Sequence, residues 1–314
     1  MRRTFGLVLM GLFSFLLVTA LMGWFYAPGA VKRTPLNVNS TTSLSGMATY
    51  LGSGPDPVVA VSRNVTDGDK SDGDVAVFTS VTCLVWDEGN PPPCVGADDS
   101  DKRLVNASED IFATDRRTGL AVADEAYTTA NDPHEGLINK FPFDVEQKTY
   151  PFWDGVLGQA VDAVYQGEED LDGFTTYVFQ IDVPVTETEI ASGVTGTYKD
   201  QKRMWIDPGT GSILKQEDRQ ERLLDTGDTA LALELAFTDE QVAANIADAK
   251  SNATRLGLVG RLPLFALALA IPALIGGLIL LRRSPGATDA DTRVDDPSLV
   301  PGFDAESASR RARR

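Results

Sequence analysis

The chain has 314 residues, with 28 Lys and Arg against 45 Asp and Glu, a formal net charge of −17 and a pI near 4.4. That balance argues against nucleic-acid binding, which needs a basic footprint. Two cysteines exclude a disulfide-dense scaffold or a four-thiolate zinc site, and a single histidine excludes the zinc motifs that use two. At 43% hydrophobic residues the chain can still bury a core.

In chain order, the first element is an apolar run from Phe5 to Tyr26 without a charge. It approaches the roughly 20 residues a helix needs to cross a bilayer. Arg2 and Arg3 precede it and Val18-Thr19-Ala20 resembles a signal cleavage site, but the run continues past Ala20 through Leu21, Met22, Trp24, Phe25 and Tyr26. It outlasts the h-region of a cleaved signal, so an uncleaved anchor is expected. A second uncharged run covers Leu262 to Leu281, followed by Arg282 and Arg283. Basic flanks stay in the cytoplasm. The expected organisation is therefore a cytoplasmic N-terminus and first span over 1–26, an extracytoplasmic domain over 27–261, a second span over 262–281 and a disordered cytoplasmic tail over 282–314. The expected location is the cell (inner) membrane, crossed twice, with both termini inside. Residues 27–261 hold 19 basic and 39 acidic residues, a net −20, while the two ends hold nine basic and six acidic. The pairs Ala266/Ala270 and Ala273/Gly277 would let another helix approach closely, the first span with Gly6 and Gly11 or a second copy of the chain.

Between the spans, 27–56 reads as extended and turn-rich, and strand patterns follow. Val58 to Val65 and Asp74 to Trp86 are β-branched runs; Thr175 to Val185 and Thr229 to Phe237 alternate cleanly. Lys202 to Ile206 and Ser212 to Glu217 flank the turn Asp207-Pro208-Gly209-Thr210-Gly211 and read as a hairpin. With no strand–helix–strand alternation, the fold class is mainly antiparallel β with some helix, a sandwich or open barrel flanked by two transmembrane α-helices. Thr238 and Gln241 have the spacing of a capping box, and the helix they start is expected to reach about Leu256.

Few residues suggest chemistry. Cys83 and Cys94, outside the membrane, are expected to form a structural disulfide worth roughly 3 kcal/mol by loop closure. The alternating Asp67, Asp69, Asp72 and Asp74 are weak calcium candidates, since Asp72 and Phe78 stand where an EF-hand has its glycine and its bidentate glutamate. His134 could serve as a base with Asp132 or Glu135, yet no Gly-x-Ser-x-Gly elbow accompanies it and a turn histidine is the simpler reading. No catalytic residue and no cofactor is expected.

The stretch Gly136-Leu137-Ile138-Asn139-Lys140-Phe141-Pro142-Phe143-Asp144, then Lys148-Thr149-Tyr150-Pro151-Phe152-Trp153-Asp154, is distinctive. With the apolar helix after Met1-Arg2-Arg3, Pro35-Leu36 and Trp205-Ile206-Asp207-Pro208…Gly211, it resembles the actinobacterial porin PorA family of envelope proteins over roughly residues 1–283. The resemblance carries no catalytic residues with it. Phe141, Phe143, Tyr150, Phe152 and Trp153 read as core or as a ligand platform. Outer-membrane barrels carry no long apolar helices. The leading expectation is thus a non-enzymatic envelope protein that binds or transfers a hydrophobic ligand, or scaffolds envelope assembly, with membrane lipid and further copies of itself as partners. An oligomeric pore, as the family name implies, is the alternative, and a carboxylate-dependent glycan hydrolase the third.

Overall fold

The computed structural model describes residues 2–89, 93–128 and 133–282, and the tail expected to be disordered, from 283 on, lies outside them. The chain packs as two units, one comprising residues up to Val18 and from Ala266 onward, the other Thr19–Phe265. Helix α1 (Arg2–Phe25) is followed by a short helix α2 (Ala27–Val31), ten strands and a single long helix α3 (Asp239–Arg282).

The strands are β1 (Asn39–Tyr50), β2 (Ser53–Asp67), β3 (Val75–Trp86), β4 (Leu104–Asp115), β5 (Tyr150–Asp154), β6 (Gln159–Leu171), β7 (Phe174–Ala191), β8 (Val194–Ile206), β9 (Ile213–Leu224) and β10 (Thr229–Phe237). They form one sheet in the order β4-β3-β2-β1-β10-β9-β8-β7-β6-β5, with every neighbouring pair antiparallel. This is a half-barrel rather than a sandwich. The part of 27–56 expected to be a turn-rich extension in fact supplies β1, an interior strand that is fourth in the order. Its Ser/Thr-rich sequence lacks an apolar alternation, and pairing on both sides compensates for weak propensity.

The edges of this sheet, β4 and β5, leave backbone groups that must find partners. Two short segments supply them at one end. Val122 N–H donates to Ala113 O and Asp115 N–H to Leu120 O, both at 2.8 Å. Ala121 N–H then reaches Gly136 O (2.7 Å), Leu137 N–H reaches Pro151 O (2.8 Å), and Trp153 N–H reaches Leu137 O (2.7 Å). A continuous hydrogen-bonded path thus links β4 to β5 through 120–122 and 136–137. Gly136 sits at φ +68° with its Cα against Pro151 O, where a Cβ would come within 2.6 Å of that oxygen. Gly211, at φ +75°, likewise leaves room for Phe141 O, which would lie 2.0 Å from a Cβ. No other residue fits either place.

The main core lies where this seam meets the sheet. Phe141 is fully buried among Phe179 (centroids 4.5 Å), Tyr150 (5.5 Å) and Phe152 (5.8 Å), with Leu137, Ile181, Met204 and Ile206 around them. A second cluster of Ala48, Val58, Ala60 and Leu84 packs with Leu233 and Leu235. The convex face differs. Lys199, Gln201, Glu217, Arg219, Glu221 and Glu234 all stand exposed on β8, β9 and β10. A sheet with that outer face lies in water, since strands facing lipid are apolar there.

Helix α3 corrects the expectation of a helix ending near Leu256 and a separate span. It runs unbroken from Asp239 to Arg282, through Gly257, Gly260 and Pro263, which weaken a helix without ending this one. Its start is also only half a capping box. Gln241 N–H donates to Thr238 Oγ1 (3.2 Å), but the Gln241 side chain accepts from Ser43 N–H (3.1 Å) rather than from Thr238, whose own N–H goes to Ser43 O (3.1 Å). The helix start is therefore bonded to β1. Within the first unit, α1 and α3 pack closely at Gly6 and Gly277. A Cβ on Gly277 would lie 3.1 Å from Met10 Sδ and 3.3 Å from Gly6 O, and Ala266, Ala270 and Ala273 are buried along the same helix. Gly11 meets nothing.

Two predictions follow from this packing. Phe141→Ala removes the hub of the aromatic core and should cost about 3–5 kcal/mol, measured by chemical denaturation in detergent; a loss below 1 kcal/mol would contradict its central place. Gly277→Leu should push α1 and α3 apart and destabilise by about 1–3 kcal/mol, while Gly11→Leu on the open side of α1 should change little.

Candidate functional site

Strand alternation places one set of side chains on the concave face. Towards one end of β1 to β4 these are small and polar: Thr42 pairs beside Ser62, Ser62 beside Thr82, Asn64 beside Ser80, and Ser80 beside Asp110. They floor a cavity of about 810 Å³ whose apolar wall includes Phe78, Phe112, Ile138, Phe143, Phe152 and Trp153, and whose last wall is Asn245, Asn252, Arg255 and Leu256 of α3. Its size falls in the roughly 300–1,000 Å³ range of small-molecule sites.

The charges around it are unequal. Arg33, Lys140, Lys202 and Arg255 line it, and Asp110 is the carboxylate on its wall among the described residues. Asp110 is engaged: its Oδ2 lies 2.9 Å from His134 Nε2, and the imidazole sits between the rings of Trp153 (4.7 Å) and Phe112 (5.8 Å). His134 thus backs the wall residues Asp110 and Trp153, and is joined to Asp110 and not to Glu135 beside it; Asp132 lies outside the described residues. Arg33 is held by Asp74 (2.9 Å). Lys140 has no carboxylate within ion-pair distance among the described residues. Its ammonium donates to Thr34 Oγ1 at 3.4 Å and stands 3.7 Å over the Phe143 ring. Burial pulls its pKa down to about 8, with Asp207 opposing the shift from farther off. The unfolded chain therefore holds an extra proton between about pH 8 and the ordinary 10.5, and the stability contributed by this residue rises with pH across that window.

Lys202 belongs to a second group, deeper along the concave face. Its Nζ lies 3.3 Å from Asp218 and 3.5 Å from Asp200, and Asp200 is fully buried with neither oxygen hydrogen-bonded. Burial pushes Asp200 up to about 7, with Lys202 opposing and Asp218 and Asp154 adding to the rise. Burial alone would lower Lys202, but Asp218, Asp200 and Asp154 outweigh it and hold the ammonium above its ordinary value. Nearby, Tyr198 donates to Asp154 Oδ2 (2.8 Å), Gln220 donates to the Tyr198 oxygen (3.4 Å), and Arg222 donates to Gln220 (2.9 Å) and to Ile190 O (2.8 Å). The half-barrel thus has a charged, hydrogen-bonded interior beside its apolar core.

The residues singled out from sequence fall in three places. Phe141 and Tyr150 are core, whereas Phe143, Phe152 and Trp153 line the cavity. Cys83 on β3 and Cys94 form a disulfide with Cα atoms 5.5 Å apart, tying the loop after β3 back to its strand. Asp67 and Asp72 cap the β2–β3 turn: Asp67 accepts from the amides of Asp69 and Lys70, and Asp72 from those of Asp74 and Val75 and from Tyr127 OH. Among the described residues no three His, Cys, Asp or Glu side chains converge as a metal site. Lys202, Asp200, Asp218 and Tyr198 escape a sequence reading because β8 is polar on both faces, with Lys199, Gln201 and Arg203 alternating outward.

An antiparallel half-barrel with a cavity on its concave face, and a long apolar helix at each end, defines a membrane protein with a β domain. Over residues 5–279 the sequence matches the Porin PorA family, and the chain belongs to that family. It is also similar to a porin PorA of Corynebacterium amycolatum, at 27% identity over 135 residues, 39% of this chain and 33% of that protein. The match therefore spans about a third of the length of that relative.

The interior charges yield a testable expectation. Lys202→Met would leave Asp200 and Asp218 facing each other in a buried site, which costs about 3–5 kcal/mol. Carboxylates with raised pKa values contribute their stability at low pH and lose it as pH rises towards 7, so the loss should be larger at pH 8 than at pH 5. Denaturation at both values checks this, and an equal loss would mean the pair is not electrostatically coupled.

Proposed function

We propose that this protein is a two-pass cell-membrane protein whose oligomer forms a passage across the bilayer, with the cavity of each half-barrel as the vestibule. Membership of the porin family favours passage over a purely structural role. The observation that carries the reading is the cavity itself, floored by hydroxyl and amide side chains and edged by lysine and arginine. Two helices per copy cannot enclose a channel, so copies must associate through the faces of α1 and α3 left open once their small residues have packed within one chain. The convex face is charged, so on this reading the conducting wall is built by helices and not by strands. Arg2 and Arg3 support a cytoplasmic N-terminus, and the Cys83–Cys94 disulfide fits an oxidising compartment for the β domain.

A second reading is a carrier or scaffold with no conductance, favoured by the aromatic half of the cavity wall. Planar-bilayer recordings separate the two. Purified full-length protein should give discrete current steps, and reversing the cavity charge with Arg255→Glu should shift ion selectivity towards cations. Silence in recordings from protein proven oligomeric would remove the pore and leave the carrier.

A further inference from the structure

The cavity is chemically two-sided, and its sides do not match a simple ion path. One side is a ring surface from Phe112, Phe143, Phe152 and Trp153. The other presents Lys140 beside the Thr34 hydroxyl, in a domain that otherwise carries 20 more acidic than basic residues. Of the other cations of the wall, Lys202 lies between Asp200 and Asp218, Arg33 is held by Asp74, and Arg255 is exposed on α3. Asp110 faces His134. Among the described residues Lys140 is left as a half-buried ammonium with no carboxylate at ion-pair distance, beside a hydroxyl and a ring face. Burying a cation without a counter-ion is costly, and an anion arriving at this point would remove the cost.

We propose that the cavity binds a single-chain amphiphile with one carboxylate, its head on Lys140 and Thr34 and its chain along the aromatic wall. A singly charged, planar head suits one ammonium and one neighbouring hydroxyl; a doubly charged head would leave a charge unmatched. The wall from α3 favours such a guest, since Asn252, Arg255 and Leu256 lie shortly before the apolar run that starts at Leu262. An amphiphile is also a solute class that a membrane-anchored protein meets. The inference rests on the cavity and not on conductance, so it stands or falls independently of the passage reading.

Trp153 provides the readout. Full-length protein in lipid nanodiscs is titrated with 9,10-dibromostearate, whose bromines quench nearby indoles. The same titration of Trp153→Phe subtracts quenching of the other tryptophans from the bilayer. The expected result is a saturable Trp153 signal, with the acid binding at least tenfold more tightly than its methyl ester. Lys140→Met should erase that preference while leaving ester binding in place, and Lys140→Arg should restore most of it. Above about pH 8 the preference should shrink as the ammonium loses its proton. Of the groups around it, Asp207 opposes that loss, Thr34 and Phe143 do not titrate, and Lys202, on the same cavity wall, stays charged to higher pH. A wild-type signal identical to that of Trp153→Phe, or equal affinity for acid and ester, would overturn the proposal. If Lys140→Met were poorly folded, the acid-to-ester ratio of the wild-type protein alone would still decide it.

Discussion

A sheet of ten strands with two free edges is an unstable arrangement in water, and the rest of this fold depends on how those edges are covered. The solution is local: two segments of a few residues carry hydrogen bonds from β4 to β5. Their geometry requires glycine at 136, where Pro151 O occupies the space of a Cβ, and the β8–β9 turn that abuts Phe141 O requires it at 211. The segment most characteristic of the sequence, from Gly136 to Asp154, is therefore the part that links the edges of the sheet. Its aromatic residues divide accordingly, Phe141 and Tyr150 sealing the core and Phe152 and Trp153 turning to the cavity.

Linking the edges at one end leaves the concave face with room on it, and the side chains found there show a compromise. Apolar packing fills the space around Phe141, while Lys202, Asp200, Asp218, Tyr198 and Asp154 occupy the adjoining region as a mutually dependent set. Such groups contribute little net stability, because desolvation offsets their attraction. They do prevent the domain from collapsing into a uniformly greasy core, and they keep part of the interior accessible to polar chemistry.

Much of the framework was legible where local chemistry is decisive. The two apolar runs, the alternation of Thr229 to Phe237 and the turn at Asp207 to Gly211 each determine an element by composition and period. β1 and β4 were not legible, because Thr41, Thr42 and Ser43, or Ser108, Glu109 and Asp110, have no apolar rhythm; only pairing with distant strands makes them extended. The continuous α3 was hidden by the change from polar to apolar sequence near Leu262, which alters the solvent and not the backbone. The cavity could not be read at all, since Thr34, Lys140, Asp110 and Arg255 come from four separate stretches and meet only through the seam and the helix start bonded to Ser43.

The place of His134 has a practical side. It is the one imidazole in the chain, and it touches both Asp110 and Trp153 on the cavity wall. In a magnetic-resonance experiment its ring protons give a single, unambiguous pair of signals, with no assignment needed in a large detergent complex. The molecule thus contains a native reporter directly behind the cavity wall, in contact with two of the residues that line it.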